Sequence, residues 1–391
     1  MQKGIIKLDN QPYIIASGAV VGKKEHEGPL GRRFAAYDET DTFGMPTWEQ
    51  SESEMQRLAL NRALDSGGMK IHDIDAIFAG DLINQCTSSG YGLANFDAPF
   101  FGVFGACSTI AEALILASLL VDSGKFDQVA AVTSSHNCTA ERQFRSPIEY
   151  GGQRAPTAQW TVTGSAAFVV GSKPNCVKSG EAADSKMSCV QSGEAADSKT
   201  SCVQSDRTSD GGTDCNQSGE ATGSKADHVY IPRIVEVLPG RVTDKGINDA
   251  ANMGAAMAPA AVDTLSRYFD ESGLSPDEFS AIFTGDLGYE GSGILIDLLS
   301  ARGIDIVKVH RDCGLMIYDR ERQDVHAGGS GCGCSACVLQ GYILDELRQG
   351  RLRDILFVAT GAMMNQASLQ QGLTIPGIAH LVRISASEVT K

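Results

Sequence analysis

Short apolar runs alternate with amphipathic stretches along most of this 391-residue chain. The apolar runs are long enough for buried strands, and they lie at residues 76–79, 129–132, 166–170, 355–359 and 379–384. The stretches 50–66 and 259–271 have helix-like patterns, and the residues after Cys107 and Cys334 carry apolar side chains at helical spacing. This alternation predicts an α/β fold with mostly buried sheets.

Two segments of the chain recur later in it. The sequence Ala-Ile-Phe-Ala-Gly-Asp-Leu at 76–82 returns as Ala-Ile-Phe-Thr-Gly-Asp-Leu at 281–287. A helix pattern that ends in glycine and leads into an apolar strand pattern occupies 110–133 and again 338–360. We therefore expect two duplicated α/β halves related by a pseudo-twofold axis. Ligand sites in such folds gather at strand ends and helix N-termini.

A polar tandem repeat separates the two halves, which are residues 1–172 and 229–391. A 13-residue unit recurs within 173–228, and residues 176–228 contain no Phe, Trp or Tyr. Such a segment cannot bury enough apolar surface to offset its ordering entropy, so we predict a disordered insertion whose deletion leaves the fold intact. A solenoid or a thiol metal site is the alternative for its evenly spaced cysteines.

Composition and charge exclude several functional classes. The formal net charge of −15 argues against a general nucleic-acid binder, because phosphate binding needs a basic surface. The chain has no apolar run of 18 residues and no signal-peptide pattern at its start. Its eleven cysteines, an odd number, fit free thiols in a reducing compartment. We expect a soluble protein of cytoplasmic type.

The turn at Cys107 is the first candidate for chemistry. It lies between the apolar run 100–104 and a helix pattern, with small residues on both sides. A thiol at a helix N-terminus is favoured as thiolate, so Cys107 is a candidate nucleophile or pocket residue, with a buried structural cysteine as the alternative. The spacing Cys332-x-Cys334-x-x-Cys337 resembles a metal cluster, but we interpret these cysteines as small packing residues.

The segment Gly-Ala-Cys-Ser-Thr at 105–109 resembles the nucleophile motif of the thiolase superfamily, especially of ketoacyl synthases. Residues 162–171 resemble the Gly/Ala-rich strand that closes their first half. More closely, segments 27–31, 79–85, 133–143 and 328–336 resemble a family of thiolase-like spore proteins from Firmicutes. The resemblance covers nearly the whole chain except the repeat insertion. It implies the thiolase-like fold.

The same resemblance implies that acyl-transfer machinery is missing. Ketoacyl synthases carry a histidine after the second-half strand and an asparagine or histidine before the second central helix. This chain has Asp286 without a histidine at the first place, and the sequence Gly-Cys-Gly-Cys at 331–334 without either residue at the second. The resemblance therefore implies a binding protein rather than an enzyme. The alternative is an acyl-transferring or condensing enzyme with Cys107 as its nucleophile.

The spore-protein resemblance also implies a ligand, partners and a location. The ligand is dipicolinic acid, with or without Ca²⁺, bound by a subunit of the spore dipicolinate channel that supports uptake and release at germination. The expected partners are other channel membrane proteins at the spore inner membrane and a second copy in a homodimer, for which residues 129–134 are the candidate edge. No cofactor or resident metal is expected. The candidate ligand-binding residues are Asp81, Asn84, Cys107, His136, Arg142 and Arg145. Asp286, the repeat-equivalent of Asp81, is interpreted as structural.

Overall fold

Strands and helices alternate through both halves of the protein, as the sequence predicts. The structure, a computed structural model, describes residues 4–144, 154–174 and 229–389. Almost all of the predicted insertion, 173–228, lies outside the described residues. The strands are β1 (Ile6–Lys7), β2 (Tyr13–Gly22), β3 (Tyr37–Asp38), β4 (Ala76–Gly80), β5 (Phe100–Gly102), β6 (Gln128–Ser135), β7 (Trp160–Thr161), β8 (Gly164–Gly171), β9 (Val229–Leu238), β10 (Ala281–Thr284), β11 (His310–Asp312), β12 (Gly329–Ser330), β13 (Asp354–Ala362) and β14 (Gly377–Val389).

The helices connect these strands and cover them. The α-helices are α1 (Lys23–His26), α2 (Trp48–Gly67), α3 (Thr87–Gly92), α4 (Thr109–Asp122), α5 (Asn137–Phe144), α6 (Met253–Ser272), α7 (Gly288–Ser300), α8 (Cys313–Met316), α9 (Cys332–Val338), α10 (Leu344–Arg348) and α11 (Gln366–Gln370). A π-helical turn, Leu339–Ile343, joins α9 to α10. Within the described residues, no helix has both the length and the apolarity that a membrane crossing requires.

One 12-stranded mixed sheet runs through the molecule, and its strand order repeats. The order is β11-β10-β13-β14-β9-β2-β8-β6-β4-β5, with β1 added beside β9 and β3 beside β2. Read outward from the centre, β2-β8-β6-β4-β5 corresponds strand for strand to β9-β14-β13-β10-β11. The two halves of the sheet join where β2 pairs with β9, at Tyr13 and Arg233. The structure thus confirms the duplication that the repeated segments predict.

Helices α4 and α9 form the layer between the two halves of the sheet. α4 packs on β4, β6 and β8 of the first half and on β13 and β14 of the second. Its Ile110, Ala113 and Leu114 are fully buried. On the outer faces, α2 covers β2 and β8, and α6 covers β13 and β14. The central layer therefore places the N-termini of α4 and α9 together between the two sheet halves.

The predicted helix at 259–271 begins six residues earlier than expected, at Met253. The side chain of Asn252 accepts the N–H of Ala255 at 3.1 Å and caps the helix there. Pro259 lies inside the helix, and the buried Met257 before it anchors the added turns in the core. Tertiary packing therefore outweighs the tendency of proline to begin a helix.

The predicted dimer edge at residues 129–134 is wrong. These residues belong to β6, which pairs with β4 on one side and β8 on the other. The edge of the first half is β5, paired only with β4 among the described strands. Its Phe100 and Phe101 are 42% and 48% exposed.

Candidate functional site

A tight turn places Cys107 at the entrance to α4. Ala106 has a positive φ of 51°, which is uncommon for a residue with a side chain. The hydroxyls of Ser108 and Thr109 hold this turn, because they donate to the carbonyls of Gly105 and Ala106 at 2.6 Å each. The turn also packs against β13: a Cβ on Gly361 would lie 2.3 Å from the Gly105 carbonyl oxygen. The turn is sharp, but it leaves the Cys107 side chain buried.

The Cys107 thiol is protonated, contrary to the thiolate that its helix position predicts. Its side chain is only 6% exposed. Burial raises the pKa of the thiol well above its usual value, and the neighbouring Asp286 raises it further. Burial away from water and the neighbouring carboxylate raise the pKa of the thiol more than the partial positive charge of the helix N-terminus lowers it.

Asp286 lies directly against Cys107 in the second half of the molecule. Its carboxylate accepts hydrogen bonds from the Cys107 thiol, from Gly331 N–H at 2.9 Å and from Thr360 Oγ1 at 2.8 Å. The residue is 1% exposed, and burial raises its pKa to about 7. The sequence interpretation treated Asp286 as structural, but the structure places it against Cys107, beneath the floor of the site.

The loop before α9 forms the other side of the floor. Gly331 has a φ of 102°, and a Cβ there would lie 2.6 Å from Ser135 Oγ. The next residue, Cys332, is fully buried and donates from Sγ to the Ser134 carbonyl at 2.9 Å. Cys334 and Cys337 are also fully buried, within the large apolar core.

A narrow recess opens above Cys107 and Gly331. Large apolar side chains line it, namely Leu82, Phe144, Met253 and Met364. The polar members of the lining are Glu141, Thr161 and Ser330. No lysine or arginine lines the recess among the described residues.

Two predicted residues, Asp81 and Asn84, do not line the recess. Asp81 is fully buried, where its carboxylate accepts the N–H groups of Ile83 and Ser89 at 2.8 Å each and the Ser89 hydroxyl at 2.6 Å. Asn84 is exposed at the surface. The loop between them contributes Leu82 instead, and this is the part of the predicted segment that reaches the recess.

His136 lies at the start of α5 but is held away from the recess. Its Nδ1 accepts the Cys138 N–H at 3.1 Å, so Nε2 carries the proton and donates to the Asp41 carbonyl at 2.8 Å. The ring is 1% exposed, and burial lowers the pKa of His136. His136 is therefore a neutral, fully bonded side chain that anchors the beginning of α5.

Of the two arginines predicted to bind the ligand, the structure describes only Arg142. Arg142 forms an ion pair with Glu49 of α2 and does not line the recess. Arg145 lies outside the described residues. Ligand binding by Asp81, Asn84, His136, Arg142 and Arg145 remains a prediction, whereas Cys107 is placed at the floor.

Sequence reasoning missed three contributors to this region. Met253, the first residue of α6, and Met364, in the loop after β13, line the recess, and no local pattern distinguishes them from core methionines. Glu52 lies behind the recess on α2 and is fully buried. The sequence does indicate that Glu52 is buried, because its position on α2 lies on the same helix face as the apolar residues Met55 and Ala59.

Comparison with solved structures shows the fold. OleA from Xanthomonas campestris with bound cerulenin has a TM-score of 0.54 at 13% identity, covering 97% of this chain and 100% of that chain. The 3-oxoacyl-(acyl carrier protein) synthase III FabH from Xanthomonas oryzae pv. oryzae has a TM-score of 0.51 at 15% identity, covering 95% and 98%. The fold is thiolase-like, as the sequence resemblance implies.

Comparison of sequences is more specific. The family model for Stage V sporulation protein AD (SpoVAD) matches residues 2–201 and 194–385. Stage V sporulation protein AD of Bacillus subtilis (strain 168) is 38% identical over 369 residues, which cover 94% of this chain and 92% of the relative. The chain therefore belongs to the Stage V sporulation protein AD family.

Proposed function

We propose that this sporulation protein is a non-catalytic binder of dipicolinic acid, acting as a subunit of the spore dipicolinate channel. In this role it supports uptake of the ligand into the developing spore and its release at germination. The observation that supports a binding role is the contact between Cys107 and Asp286. At the floor of the recess, this contact favours the protonated form of the thiol at the nucleophile position.

Acyl transfer would be opposed by the charges at this floor. A thiol that donates to Asp286 is a weak nucleophile, because only the thiolate attacks. The tetrahedral intermediate also develops a negative oxygen that enzymes stabilise with hydrogen-bond donors. The sequence resemblance places Asp286 where ketoacyl synthases carry a histidine, and the loop 331–334 where they carry an asparagine or a histidine. A carboxylate at this place repels the developing charge.

The charge of the recess favours the calcium complex of the ligand over the free dianion. The described lining offers no cationic side chain, and Asp286 lies beneath it. Two ligand carboxylates placed here without a countercharge would be repelled. Calcium prefers carboxylate and carbonyl oxygens, so a bound Ca²⁺ neutralises the dianion and can share oxygens with the recess.

Calorimetry tests this proposal. The protein is titrated with dipicolinate, with calcium dipicolinate, and with isophthalate as a control that lacks the ring nitrogen. We expect saturable heat with calcium dipicolinate and weaker or no heat with isophthalate. Ala140→Trp, which fills the recess from α5, should abolish binding, whereas Ser300→Trp at the exposed end of α7 should not. Absence of saturable heat with either dipicolinate form contradicts the proposal.

An acyl-transferring enzyme is the second candidate function. The positive φ of Ala106 and the position of Cys107 before α4 favour it, because strained turns at helix N-termini present nucleophiles in other enzymes. Incubation with acyl-CoA followed by intact-mass measurement separates the two functions. We expect no adduct on the wild-type protein. An adduct that disappears in Cys107→Ala would establish the enzyme.

We further propose a homodimer that forms through β5. This strand lies at the edge of the sheet, and Phe100, Phe101 and Phe104 expose 42%, 48% and 43% of their surfaces. Pairing of two such edges satisfies their backbone groups and covers the aromatic rings. Channel membrane proteins remain proposed partners. Light scattering that shows a monomer at micromolar concentration would contradict the homodimer.

A further inference from the structure

A second groove, of about 370 Å³, lies where β1, β9 and β14 run side by side. Arg383, which lines it, donates to Asp354 at the start of β13, whereas Ala362 at the end of β13 lines the recess. The rise of a strand separates these two ends by about 26 Å. The groove is therefore a separate place from the recess around Cys107.

Two of the three cations that line the groove are paired with acids. Arg383 donates to both carboxylate oxygens of Asp354 and to Glu236 at 3.0 Å. Lys7 lies 3.9 Å from Glu236, whose carboxylate also accepts the Tyr268 hydroxyl at 2.8 Å. The positive charges of Arg383 and Lys7 therefore balance the negative charges of Asp354 and Glu236.

The third cation, Arg233, has no acidic partner among the described residues. Its guanidinium lies over the ring of Tyr13, 5.8 Å from the ring centroid, which holds it by a cation–π contact. Its Nε is buried and has no hydrogen-bond acceptor within the described part of the chain. Arg233 is unpaired although the whole chain has 48 acidic and only 33 basic residues. One positive charge in the groove is therefore uncompensated.

Neutral donors and apolar side chains complete the lining around Arg233. Ser385 of β14 lies opposite Arg233 of β9 in the sheet, and its hydroxyl is a further donor. Gln11 contributes from the loop before β2 with a positive φ of 46°, a strained conformation of the kind that clusters at ligand sites. Leu8, 3% exposed, and the half-buried Val235 supply apolar surface. Small-molecule sites combine apolar walls with a few polar groups in this way.

We propose that this groove binds a small organic carboxylate, with Arg233 as the main contact. A guanidinium presents parallel N–H donors that match the two oxygens of a carboxylate. The single uncompensated charge matches one carboxylate, and Leu8 and Val235 suit an apolar body attached to it. Lys7, whose side chain is 80% exposed, adds positive charge at the mouth of the groove. This binding is independent of the recess and of the ligand proposed for it.

Fluorine NMR with 4-fluorobenzoate tests the proposal, because the probe has one carboxylate on an apolar ring and reports weak binding directly. We expect its resonance to shift saturably as the protein is added. Benzoate should displace the probe. Benzyl alcohol, which has the ring without the charge, and inorganic phosphate, which has the charge without the ring, should not displace it at the same concentration. Affinity should fall as the salt concentration rises.

Three variants locate the binding. Arg233→Gln should weaken it about tenfold or more, because it removes the charge-assisted contact. The matched control is Arg353→Gln: Arg353 also lies over a tyrosine ring, that of Tyr230 at 4.0 Å, but does not line the groove, so binding should be unchanged. Lys7→Gln should weaken binding about twofold, as expected for an exposed charge.

The recess variant Ala140→Trp separates the two places and should bind the probe as wild type does. Loss of binding in Ala140→Trp but not in Arg233→Gln would assign the probe to the recess and overturn the proposal. Equal binding by wild type and Arg233→Gln, or no saturable shift at all, would also overturn it. Displacement by phosphate as effective as that by benzoate would refute the carboxylate assignment. If Arg233→Gln does not fold, Lys7→Gln and the displacement pattern decide.

Discussion

Replacement of Asp286 by asparagine should make the protein more stable at alkaline pH relative to wild type. Asp286 is buried without a cation among its described contacts, and its pKa rises from 3.8 to about 7. The folded protein keeps this proton up to about pH 7, whereas the unfolded chain releases it near pH 4. Wild-type stability therefore falls as the pH rises from 4 to 7 and stays at the lower level above it.

The size of the effect follows from the shift in pKa. One pKa unit corresponds to about 1.36 kcal/mol, so ionised Asp286 costs the folded state about 4 kcal/mol. Asparagine cannot ionise, but it loses one acceptor for the donors Gly331, Thr360 and Cys107. That loss costs about 1–3 kcal/mol at every pH. Asp286→Asn should be the less stable protein at pH 4 and the more stable one at pH 8.

Urea unfolding at pH 4, 6 and 8 measures this difference. The free energy of unfolding of the variant minus that of wild type should rise by about 4 kcal/mol from pH 4 to pH 8. Taking the difference removes the contributions of the other buried acids. Asp297→Asn, on an exposed face of α7, should leave stability within about 0.5 kcal/mol at each pH. A difference that does not change with pH would refute the reasoning about Asp286.

Three further outcomes are expected. Phe101→Asp at the β5 edge should give a monomer in light scattering, whereas Tyr289→Asp, another exposed aromatic position, should leave the dimer intact. Gly361→Ala should lower the melting temperature, because its Cβ would meet the Gly105 carbonyl oxygen at 2.3 Å; Gly90→Ala, with open space around it, should not. Native Cys107 should resist iodoacetamide at pH 7.5 until denaturant is added, as read by peptide mass, and fast labelling would contradict a protonated thiol.

Much of the fold could be predicted because its signals are local. The helix α2 begins and ends within two residues of the predicted 50–66, since Thr47 caps its start and Gly68, with a φ of 61°, ends it. The repeated glycines behave in the same way: Gly124 and Gly350 have φ values of 70° and 68° after α4 and α10. Such caps and turns depend on residues that are neighbours in the sequence, so the sequence alone is sufficient to predict where these helices end.

The order of the strands in the sheet could not be predicted in the same way. Both β5 and β6 follow from apolar runs, but only the order of the sheet decides that β6 is internal and β5 is the edge. The paired aspartates show the same limit at the site. Asp81 and Asp286 end nearly identical segments, yet Asp81 bonds to Ser89 and Asp286 bonds to Cys107. The partner of each aspartate depends on which distant segment of the chain packs against it, and the local sequence does not show this.

The acids around the recess bear directly on what it can bind. Asp286 lies under the floor, Glu52 and Asp81 lie behind it, and the described lining adds Glu141 without a lysine or arginine. An acyl-transfer site needs donors aimed at a developing negative charge, whereas these acids, once ionised, produce a negative potential there. Such a potential favours a ligand that is neutral or carries its own cation. Because burial raises the pKa values of Asp286 and Glu52 to about 7 and 8, the potential also weakens as the pH falls. A free dianion should therefore bind best at low pH, and its calcium complex should depend less on pH.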